Sequence, residues 1–558
     1  MKKKMSRIIV IGLVMALCFG SFAGCGNNDS PADTTAAKSE AETKKEETTK
    51  AAEKTEDSPA TSAESAQDEP PTPISLMVQI NFSEVPSAEN ELELMMEEYS
   101  NTDLDIIWVP LNNYNEKVNL AITSNELPNA ISILQMKAPV FVNAVRSGMF
   151  WDVQDKIEEL PALSENYDPN MLHNASIDGK LYGLPRGRPL TRNGIIMRKD
   201  WLENAGITIE QPITMDGIYE VIKALAENDP DGNGEDDTYG ILGGVDENGR
   251  IQGPLLEMMD VAFGGGNRWE LQDGKIIPTF DTPVHMETLN FIKKLYDEGL
   301  MNQDFATVMP SQFYELLDKE KAGFFFQTLT DAHERLDNVV KVVQERDPVL
   351  SAMNPVDAKV EIFDTIYQIE APDGTIRACT QDGFNGLWAF PKTSNKTEED
   401  LMKVLHFFDT MDTPDGQSII YWGKEGVHWD YEDGLATMTA DSMLFSREVQ
   451  PYWQLFCTNR VTDRSSIKGY VAPMYTKVYG EMESLLPYAV FNPVVPLVSD
   501  TYTNNGASLD KIINDAEVQY IMGIIDKAGW DAAVEQWHSQ GGDKMIEEYT
   551  DAYNQINA

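Results

Sequence analysis

The chain has 558 residues, and its 91 acidic side chains against 44 basic ones give a formal net charge of −47. This charge argues against nucleic acid and anionic lipid surfaces as partners, because both repel a strongly acidic protein. Hydrophobic residues make up 42% of the chain, and the length predicts two or more structural domains.

The first 25 residues predict an export signal that ends in a lipid anchor. Lysines at 2–4 and Arg7 precede an apolar run over residues 8–19, which is too short to span a bilayer comfortably. Residues 22–25 read Phe-Ala-Gly-Cys, which resembles the bacterial lipobox, with Phe where Leu is usual. In a lipobox the cysteine, here Cys25, carries fatty acyl chains such as palmitate. The alternatives are a plain signal peptide that contains a cysteine and an uncleaved N-terminal anchor.

Residues 26–73 predict a disordered acidic linker. They contain no aromatic side chain and no aliphatic side chain larger than alanine. Such a segment cannot bury enough apolar surface to offset the entropy of ordering. Its end, residues 69–73, is rich in proline and therefore extended and stiff. The expected organisation is a tether followed by a globular body over residues 74–558.

The body begins with alternating strands and helices. The predicted elements are strands at 74–80, 105–109 and 130–134 and helices at 89–99 and 114–124, followed near the C-terminus by helices at 515–527 and 530–539. The second C-terminal helix ends at Gly541 and Gly542. The alternation predicts an α/β domain with a mainly parallel sheet. Ligands of such sheets bind at the carboxyl ends of the strands, which points to the loops 81–86 and 135–139.

Eight short motifs occur in order along the body. They are NLAITSNELP at 119–128, DGKLYGLP at 178–185, GIIMRKDWL at 194–202, DPDGNGEDDTYG at 229–240, FGGGNRW at 263–269, DGK at 273–275, KLYDEGL at 294–300 and YWGKEGVHW at 421–429. Together they resemble family 1 of the extracellular solute-binding proteins of ABC importers, in the large lipoprotein branch that includes alginate- and other oligosaccharide-binding members. The match extends to a last predicted helix at 543–556.

The resemblance implies an α/β, two-lobe, periplasmic-binding-protein-like (type II) fold with hinge crossings between the lobes. We place the crossings near 186–192, 384–391 and 423–429. This division assigns 74–187 and 390–427 to lobe 1, and 188–389 and 428–558 to lobe 2. Independently of the family, residues 186–192 follow neither helical nor strand periodicity, as expected of a connector.

Residues 229–240 resemble a calcium-binding loop of the EF-hand type. Acidic or amide residues occupy its positions 1, 3, 5 and 9, and Gly234 supplies the sharp turn at position 6. Position 12 is Gly240 instead of a bidentate Glu, and Thr238 stands where calcium-binding relatives in the family have an acidic ligand. The predicted ligands of a structural Ca²⁺ are Asp229, Asp231, Asn233, Glu235 (through its backbone carbonyl), Asp237 and Thr238. The alternative is a surface turn rich in Asp and Asn.

Sugar recognition requires aromatic rings for the C–H faces of the sugar and planar polar groups for its hydroxyls. Tryptophans that lie near the expected crossings or follow the triple glycine at 264–266 are therefore candidates. The predicted ligand-binding residues are Trp269, Trp422, Trp388, Trp429, Arg188, Gln135, Phe384 and Glu425. The alternatives are a buried core or interlobe aromatic residue, and an arginine held in a structural salt bridge. Trp201 is expected to pack in a core.

No catalytic motif is found in the sequence. It lacks a Gly-x-Ser-x-Gly elbow, a phosphate-binding loop and a His-Glu-x-x-His motif, and its six histidines have no metal-ligand spacing. We therefore expect a binding protein and not an enzyme. Cys379 and Cys457 show no diagnostic spacing, and whether they pair stays open.

The predicted function is a monomeric lipoprotein on the outer face of the cell membrane that captures an oligosaccharide between its lobes. The permease and ATPase of the ABC importer are expected to be separate polypeptides. The alternatives are a secreted glycan-active enzyme and a surface sensor or adhesin that does not transport. The sugar, its length and its charge stay open, as does a peptide or another non-sugar solute.

Overall fold

The computed structural model describes residues 70–81, 85–86, 90–235, 237–439, 442–458 and 465–557. The predicted signal at 1–25, including Cys25, lies outside the described residues, as does most of the linker. The folded body begins two residues earlier than predicted, because Thr72 and Pro73 already pair with the next strand of the sheet. Within the described part of the chain, no helix combines the length and apolar character that a membrane crossing needs.

The regular elements are numbered in chain order. The strands are β1 (Thr72–Ile80), β2 (Thr102–Pro110), β3 (Ala130–Ile133), β4 (Leu184–Gly187), β5 (Asn193–Arg198), β6 (Ile213–Thr214), β7 (Trp269–Gln272), β8 (Lys275–Pro278), β9 (Phe324–Thr328), β10 (Phe363–Ile366), β11 (Ile369–Glu370), β12 (Ala378–Cys379), β13 (Phe384–Ala389), β14 (Trp429–Glu432), β15 (Leu435–Met438) and β16 (Ala489–Val490). The α-helices are α1 (Glu91–Ser100), α2 (Leu111–Ser124), α3 (Pro139–Arg146), α4 (Pro161–Asn166), α5 (Pro169–Asn174), α6 (Lys199–Asn204), α7 (Met215–Glu227), α8 (Leu255–Ala262), α9 (Pro283–Asp297), α10 (Pro310–Asp318), α11 (Asp331–Glu334), α12 (Asp337–Arg346), α13 (Pro355–Ile362), α14 (Glu398–Met411), α15 (Pro414–Trp422), α16 (Ser442–Glu448), α17 (Pro473–Leu485), α18 (Asp500–Ile521), α19 (Lys527–Trp537) and α20 (Asp543–Ile556).

Lobe 1 is built on a five-stranded sheet in the order β2-β1-β3-β13-β4. The strand β1 pairs in parallel with β2 and β3, whereas β13 runs antiparallel to both β3 and β4. The sheet is therefore mixed, but β4 runs in the same direction as β1, β2 and β3, so only β13 departs from the predicted mainly parallel arrangement. The reason is topological: the chain returns from lobe 2 at the carboxyl edge of the sheet, so β13 must enter from that edge.

Lobe 2 contains the antiparallel sheet β10-β5-β9 and several two-stranded pairs. Buried side chains of α7, α8, α9 and the C-terminal helices form one apolar cluster. A second cluster joins α10, α12, α13 and α17. Trp201 is buried in the first of these clusters.

The crossings that the structure indicates differ from the predicted lobe boundaries. From sheet and cluster membership we infer crossings at 188–192, between β4 and β5, and at 380–383, between β12 and β13, and a third whose described part, 465–472, lies between the lobe 1 residue Cys457 and Met474 of α17. The second crossing was expected at 384–391, but that segment contains β13, which lies inside the lobe 1 sheet. The third was expected at 423–429, but buried residues over 445–457 still pack in the lobe 1 core. The returning part of lobe 1 is therefore longer than the predicted 390–427.

The C-terminal helices also differ from the prediction. The helix expected at 515–527 is α18, which begins at Asp500, where the side chain of Ser499 accepts a hydrogen bond from the backbone N–H of Tyr502. The helix expected at 530–539 is α19, which ends at Trp537. Gly541 adopts a φ of +137°, which only glycine adopts readily, and it separates α19 from α20.

Candidate functional site

A cavity of 330 Å³ opens where the first two crossings pass between the lobes. Asn193, at the start of β5, and Gln381 and Asp382, in the second crossing, line it. Phe384, the first residue of β13, contributes an aromatic side chain from lobe 1. Most of the remaining lining comes from lobe 2. The cavity combines amides, charged groups and one aromatic ring, as small-molecule sites usually do.

Hydrogen bonds between side chains and the crossing segments form the floor of this cavity. The Asn267 side-chain amide donates to the carbonyls of Thr380, at 2.8 Å, and Val490, at 3.1 Å. The Gln381 side-chain amide donates to Oδ1 of Asn193 at 2.8 Å. The second crossing is therefore tied to lobe 2 through Asn267 and to the start of β5 through Gln381.

Two arginines share one carboxylate at the cavity wall. Arg268 Nε lies 2.7 Å from Glu257 Oε1, and Arg250 Nη2 contacts the same oxygen. Burial opposes ionisation of Glu257, but the two guanidiniums outweigh it and lower the pKa of this carboxyl to about 2. Each guanidinium has five N–H donors, and the Arg268 side chain is 49% exposed. Donors therefore remain for ligand oxygens after Glu257 is satisfied.

Three of the predicted binding residues lie at the carboxyl edge of the lobe 1 sheet. Gln135 is exposed directly after β3, and Arg188 follows β4. Phe384 pairs with Gly187 at the same edge, and the backbone N–H of Arg188 donates to the carbonyl of Gly383 at 2.8 Å. The structure thus brings Gln135, Arg188 and Phe384 to one edge, and of these three Phe384 lines the cavity.

Trp388, Trp422 and Trp429, which were also predicted to contact the ligand, are buried in apolar clusters and do not line the cavity. Their exposed fractions are 0%, 3% and 3%. Trp388 lies in the lobe 1 core with its ring centroid 5.1 Å from that of Phe408. Trp422 and Trp429 form a separate small cluster with Ala436. This burial favours the alternative that they are core aromatic residues.

The third crossing passes close to this small cluster, and Glu425 lies in a neighbouring turn. A Cβ added at Gly469, in the third crossing, would lie 1.9 Å from the Trp422 ring, so the crossing passes directly over the indole. Glu425 is exposed in the turn between α15 and β14 and does not line the cavity.

Trp269 belongs to a segment that borders the cavity, but it does not line the cavity itself. The ring packs in lobe 2, with its centroid 5.2 Å from that of Tyr549 and 6.4 Å from that of Trp537. Its neighbours Asn267 and Arg268 line the cavity instead. The triple-glycine motif thus lies beside the cavity, but the prediction chose Trp269 within this segment and missed Arg268.

The acidic loop folds into a tight turn. The side-chain amide of Asn233 donates to Asp231 Oδ2 at 2.8 Å and to Asp237 Oδ1 at 3.1 Å, and the backbone N–H of Gly234 donates to Asp229 Oδ2 at 3.0 Å. Burial, together with the neighbouring carboxylates, raises the pKa of Asp231. Two carboxylates, those of Asp231 and Asp237, therefore accept from the Asn233 side chain, and that of Asp229 accepts from the backbone N–H groups of Asn233 and Gly234.

The side chains of this loop provide some of the oxygen ligands that a hard cation prefers. Carboxylate and amide oxygens are the ligands that calcium prefers, and the negative charges are close enough to oppose ionisation of Asp231. Thr238 does not fit the predicted ligand set, because its hydroxyl donates to the carbonyl of Leu225 at 3.3 Å. In the described residues, no group of three or more His, Cys, Asp or Glu side chains is arranged to hold a metal ion.

The two cysteines of the body are not paired. Cys379 lies at the cavity, and Cys457 belongs to the lobe 1 core. Burial raises the pKa of the Cys379 thiol to about 12 and raises that of Cys457 as well. Both thiols are therefore protonated and poorly nucleophilic in the folded protein.

Comparison with known proteins gives matches over most of the chain. A family model described as bacterial extracellular solute-binding protein matches residues 84–417. Lipoprotein LipO of Bacillus subtilis (strain 168) is 34% identical over 488 residues, which cover 86% of this chain and 92% of LipO. The polygalacturonan/rhamnogalacturonan-binding protein YtcQ of the same organism is 36% identical over 462 residues, covering 82% of this chain and 87% of YtcQ.

A solved structure shares the fold. The substrate-binding protein FusA of an ABC transporter from Streptococcus pneumoniae, solved as an EF-hand mutant in complex with fructo-nystose, matches with a TM-score of 0.60 at 17% identity. The match covers 87% of this chain and 99% of FusA.

Proposed function

Because the chain belongs to the bacterial extracellular solute-binding proteins, we propose that it is the receptor of an ABC importer and captures an oligosaccharide between its lobes. Both the family indicated by the eight motifs and the α/β two-lobe fold class are confirmed. The observation that carries the proposal is the cavity at the crossings, whose floor and walls belong to both lobes and to the segments between them.

The chemistry of the cavity supports a polyhydroxylated ligand. Amides such as Asn193 and Gln327 both donate and accept hydrogen bonds, as sugar hydroxyls do, and Arg250 and Arg268 add charged donors. Phe384 offers an apolar surface for the C–H groups of a sugar ring. On closure, Gln135 and Arg188 at the lobe 1 edge would approach the same ligand. Bound ligand would then favour the closed state through its higher affinity for that state.

The relatives support a saccharide without fixing which one. YtcQ is named for polygalacturonan and rhamnogalacturonan, and FusA was solved with fructo-nystose. Both ligands are sugars of more than one unit. A glycan-active enzyme on this fold would need a pair of catalytic carboxylates facing the cleft. The name of YtcQ, in contrast, describes a binding protein, which favours the receptor over the enzyme.

The cellular setting follows from the N-terminal segment. We infer that Cys25 is acylated after removal of residues 1–24 and that residues 26–69 tether the body to the outer face of the membrane. The relative LipO is named a lipoprotein, which supports this anchor. Separate permease and ATPase subunits would complete the importer, with the body acting as a monomer.

A thermal-shift screen of the body, residues 70–558, tests the saccharide proposal. The panel contains oligogalacturonides, rhamnogalacturonan oligomers, fructooligosaccharides and a set of peptides. A ligand present at about 100 times its Kd adds about 2.7 kcal/mol to the free energy of unfolding, so the melting temperature rises. Chromatography after incubation must return the sugar unchanged. Shortened products would identify an enzyme, and a shift with peptides alone would reject the saccharide.

We also propose that the loop at 229–237 binds Ca²⁺ in a structural role. Its support is the convergence of Asp229, Asp231 and Asp237 and the description of the structural neighbour as an EF-hand mutant. The ion would offset the repulsion between these carboxylates and fix the turn that follows α7.

Chelation of calcium is expected to lower the melting temperature of the body, and Asp231→Ala is expected to abolish this sensitivity. The reason is that ligand binding to the folded state alone adds to stability. Asp373→Ala is the matched control, because Asp373 is an exposed turn aspartate that bonds only Thr375 in the described structure. An identical melting curve with and without chelator would exclude the calcium site.

A further inference from the structure

The polar surface of the cavity continues along lobe 2 beyond the residues already described. Gln327 lies near the end of β9 and lines the cavity. Its side-chain amide donates to the hydroxyl of Tyr314 on α10 at 3.4 Å. The next residue, Thr328, pairs with the cavity-lining Asn193, so this end of β9 faces the cleft. Tyr314 therefore contacts a side chain that lines the cavity without lining the cavity itself.

The Tyr314 ring is held in a fixed orientation. Its hydroxyl donates to Asp331 Oδ2 at 2.5 Å. Asp331 is buried at the start of α11, and its other oxygen accepts from the Thr328 hydroxyl at 3.2 Å. A ring fixed in this way loses little conformational entropy when a ligand packs on it, which favours binding.

Arg335 completes the cluster. Its guanidinium carbon lies 4.8 Å from the centroid of the Tyr314 ring, and its Nε lies 3.5 Å from Asp331 Oδ2. The Arg335 side chain is nevertheless 57% exposed. Because the guanidinium has five N–H donors and is exposed, the ion pair and the cation–π contact leave donors available to a ligand.

We propose that Tyr314 and Arg335 form a distal subsite that binds the sugar units of an oligosaccharide extending out of the cavity. One end of the chain would bind between Arg268 and Phe384, and the chain would then pass over Gln327 to reach this pair. The tyrosine ring packs against C–H groups, and the guanidinium donates to hydroxyl or carboxylate oxygens. This inference rests on the proposed saccharide function and adds that the receptor selects for chain length.

Calorimetric titration with saccharides of increasing length tests the subsite. The probes are di-, tri- and tetragalacturonate and, in a parallel series, sucrose, kestose and nystose. The native body is expected to bind the longest member of one series tighter than the shortest by about fivefold to tenfold. Tyr314→Ala and Arg335→Gln are each expected to reduce or remove this gain while leaving the affinity for the shortest bound member unchanged.

Tyr219→Ala is the matched control. The Lys294 ammonium lies 3.4 Å from the Tyr219 ring centroid, and the Tyr219 hydroxyl donates to Glu298, but this pair does not line the cavity. Melting temperatures check that the variants fold, and Arg335→Gln alters an exposed side chain only. The subsite is overturned if affinity still increases with saccharide length in both variants, or if it does not increase with length in the native protein. Either result leaves the saccharide function intact. Failure of both series to bind overturns the subsite and the oligosaccharide function together.

Discussion

Replacement of His285 by glutamine is expected to lower the free energy of unfolding of the body by about 3–5 kcal/mol. In the folded protein, His285 Nδ1 lies 3.0 Å from Asp260 Oδ2, and its Nε2 lies 3.5 Å from Glu517 Oε1. All three side chains are less than 10% exposed. Glutamine keeps polar atoms but no charge, so two buried carboxylates would lose their cation. Chemical denaturation monitored by tryptophan fluorescence measures the difference.

The contribution of His285 depends on pH. Burial alone would lower the pKa of this imidazole, but Asp260 on α8 and Glu517 on α18 outweigh burial and raise it to about 10. Because the folded-state pKa lies above the ordinary value of 6.5, the stabilisation is complete below about pH 6.5. It is lost as the pH rises through about 10. The stability difference between native protein and variant is therefore expected to shrink over this range.

His538→Gln is the matched control for this experiment. His538 also contacts two carboxylates, with Nε2 3.0 Å from Asp281 and Nδ1 2.7 Å from Asp543, but its side chain is 25% exposed. Exposed ion pairs contribute about 0–1 kcal/mol. Equal losses in the two variants would show that burial does not determine the strength of the His285 cluster.

Arg268→Ala is expected to weaken binding of the saccharide found in the thermal-shift screen by about tenfold to a hundredfold. A hydrogen bond from a charged donor contributes about 1.5–3 kcal/mol. Glu257 keeps Arg250 as a partner in this variant, so the fold is expected to persist. Calorimetric titration measures the affinity, and the melting temperature without ligand measures the stability.

The chain offers a close control for Arg268. Glu320 is also shared by two arginines, with Arg198 Nη1 at 3.2 Å and Arg346 in contact with its other oxygen. Arg198 ends β5 at the opposite end from Asn193, so this cluster lies away from the cavity. Arg346→Ala removes one arginine from a shared glutamate without touching the site. Similar affinity losses in both variants would contradict a direct role of Arg268 in binding.

The first strands of lobe 1 are predictable because their sequences are apolar and the strands are buried. Residues 74–80 and 130–134 are short apolar runs, and the structure buries nearly every residue of β1 and β3 there. The start of α18 is not predictable in this way, because Asn504, Asn505 and Gly506 are poor helix formers. It depends on Ser499 and on Glu548, which accepts from the backbone N–H of Thr501 at 2.9 Å.

The candidate site is only partly predictable, since sequence gives the type of a side chain but not its direction. The motifs and their spacing predict the segments that form the candidate site, near Arg188, Phe384 and the triple glycine. Trp388 was expected in the cleft because it lies near a crossing, but its place within β13 turns it into the lobe 1 core. Glu257 and Arg250 have no motif of their own, and only the packing of lobe 2 brings them to Arg268.

The close approach of Gly469 to Trp422 limits which substitutions the chain can accept at these two positions. A side chain at position 469 would occupy the volume of the indole, and a smaller residue at position 422 would leave a void beneath the third crossing. Neither position can change alone without moving the segment that joins the lobes. Compensating substitutions at the two positions are therefore expected to be tolerated better than a change at either one alone, because together they set the volume between the third crossing and α15.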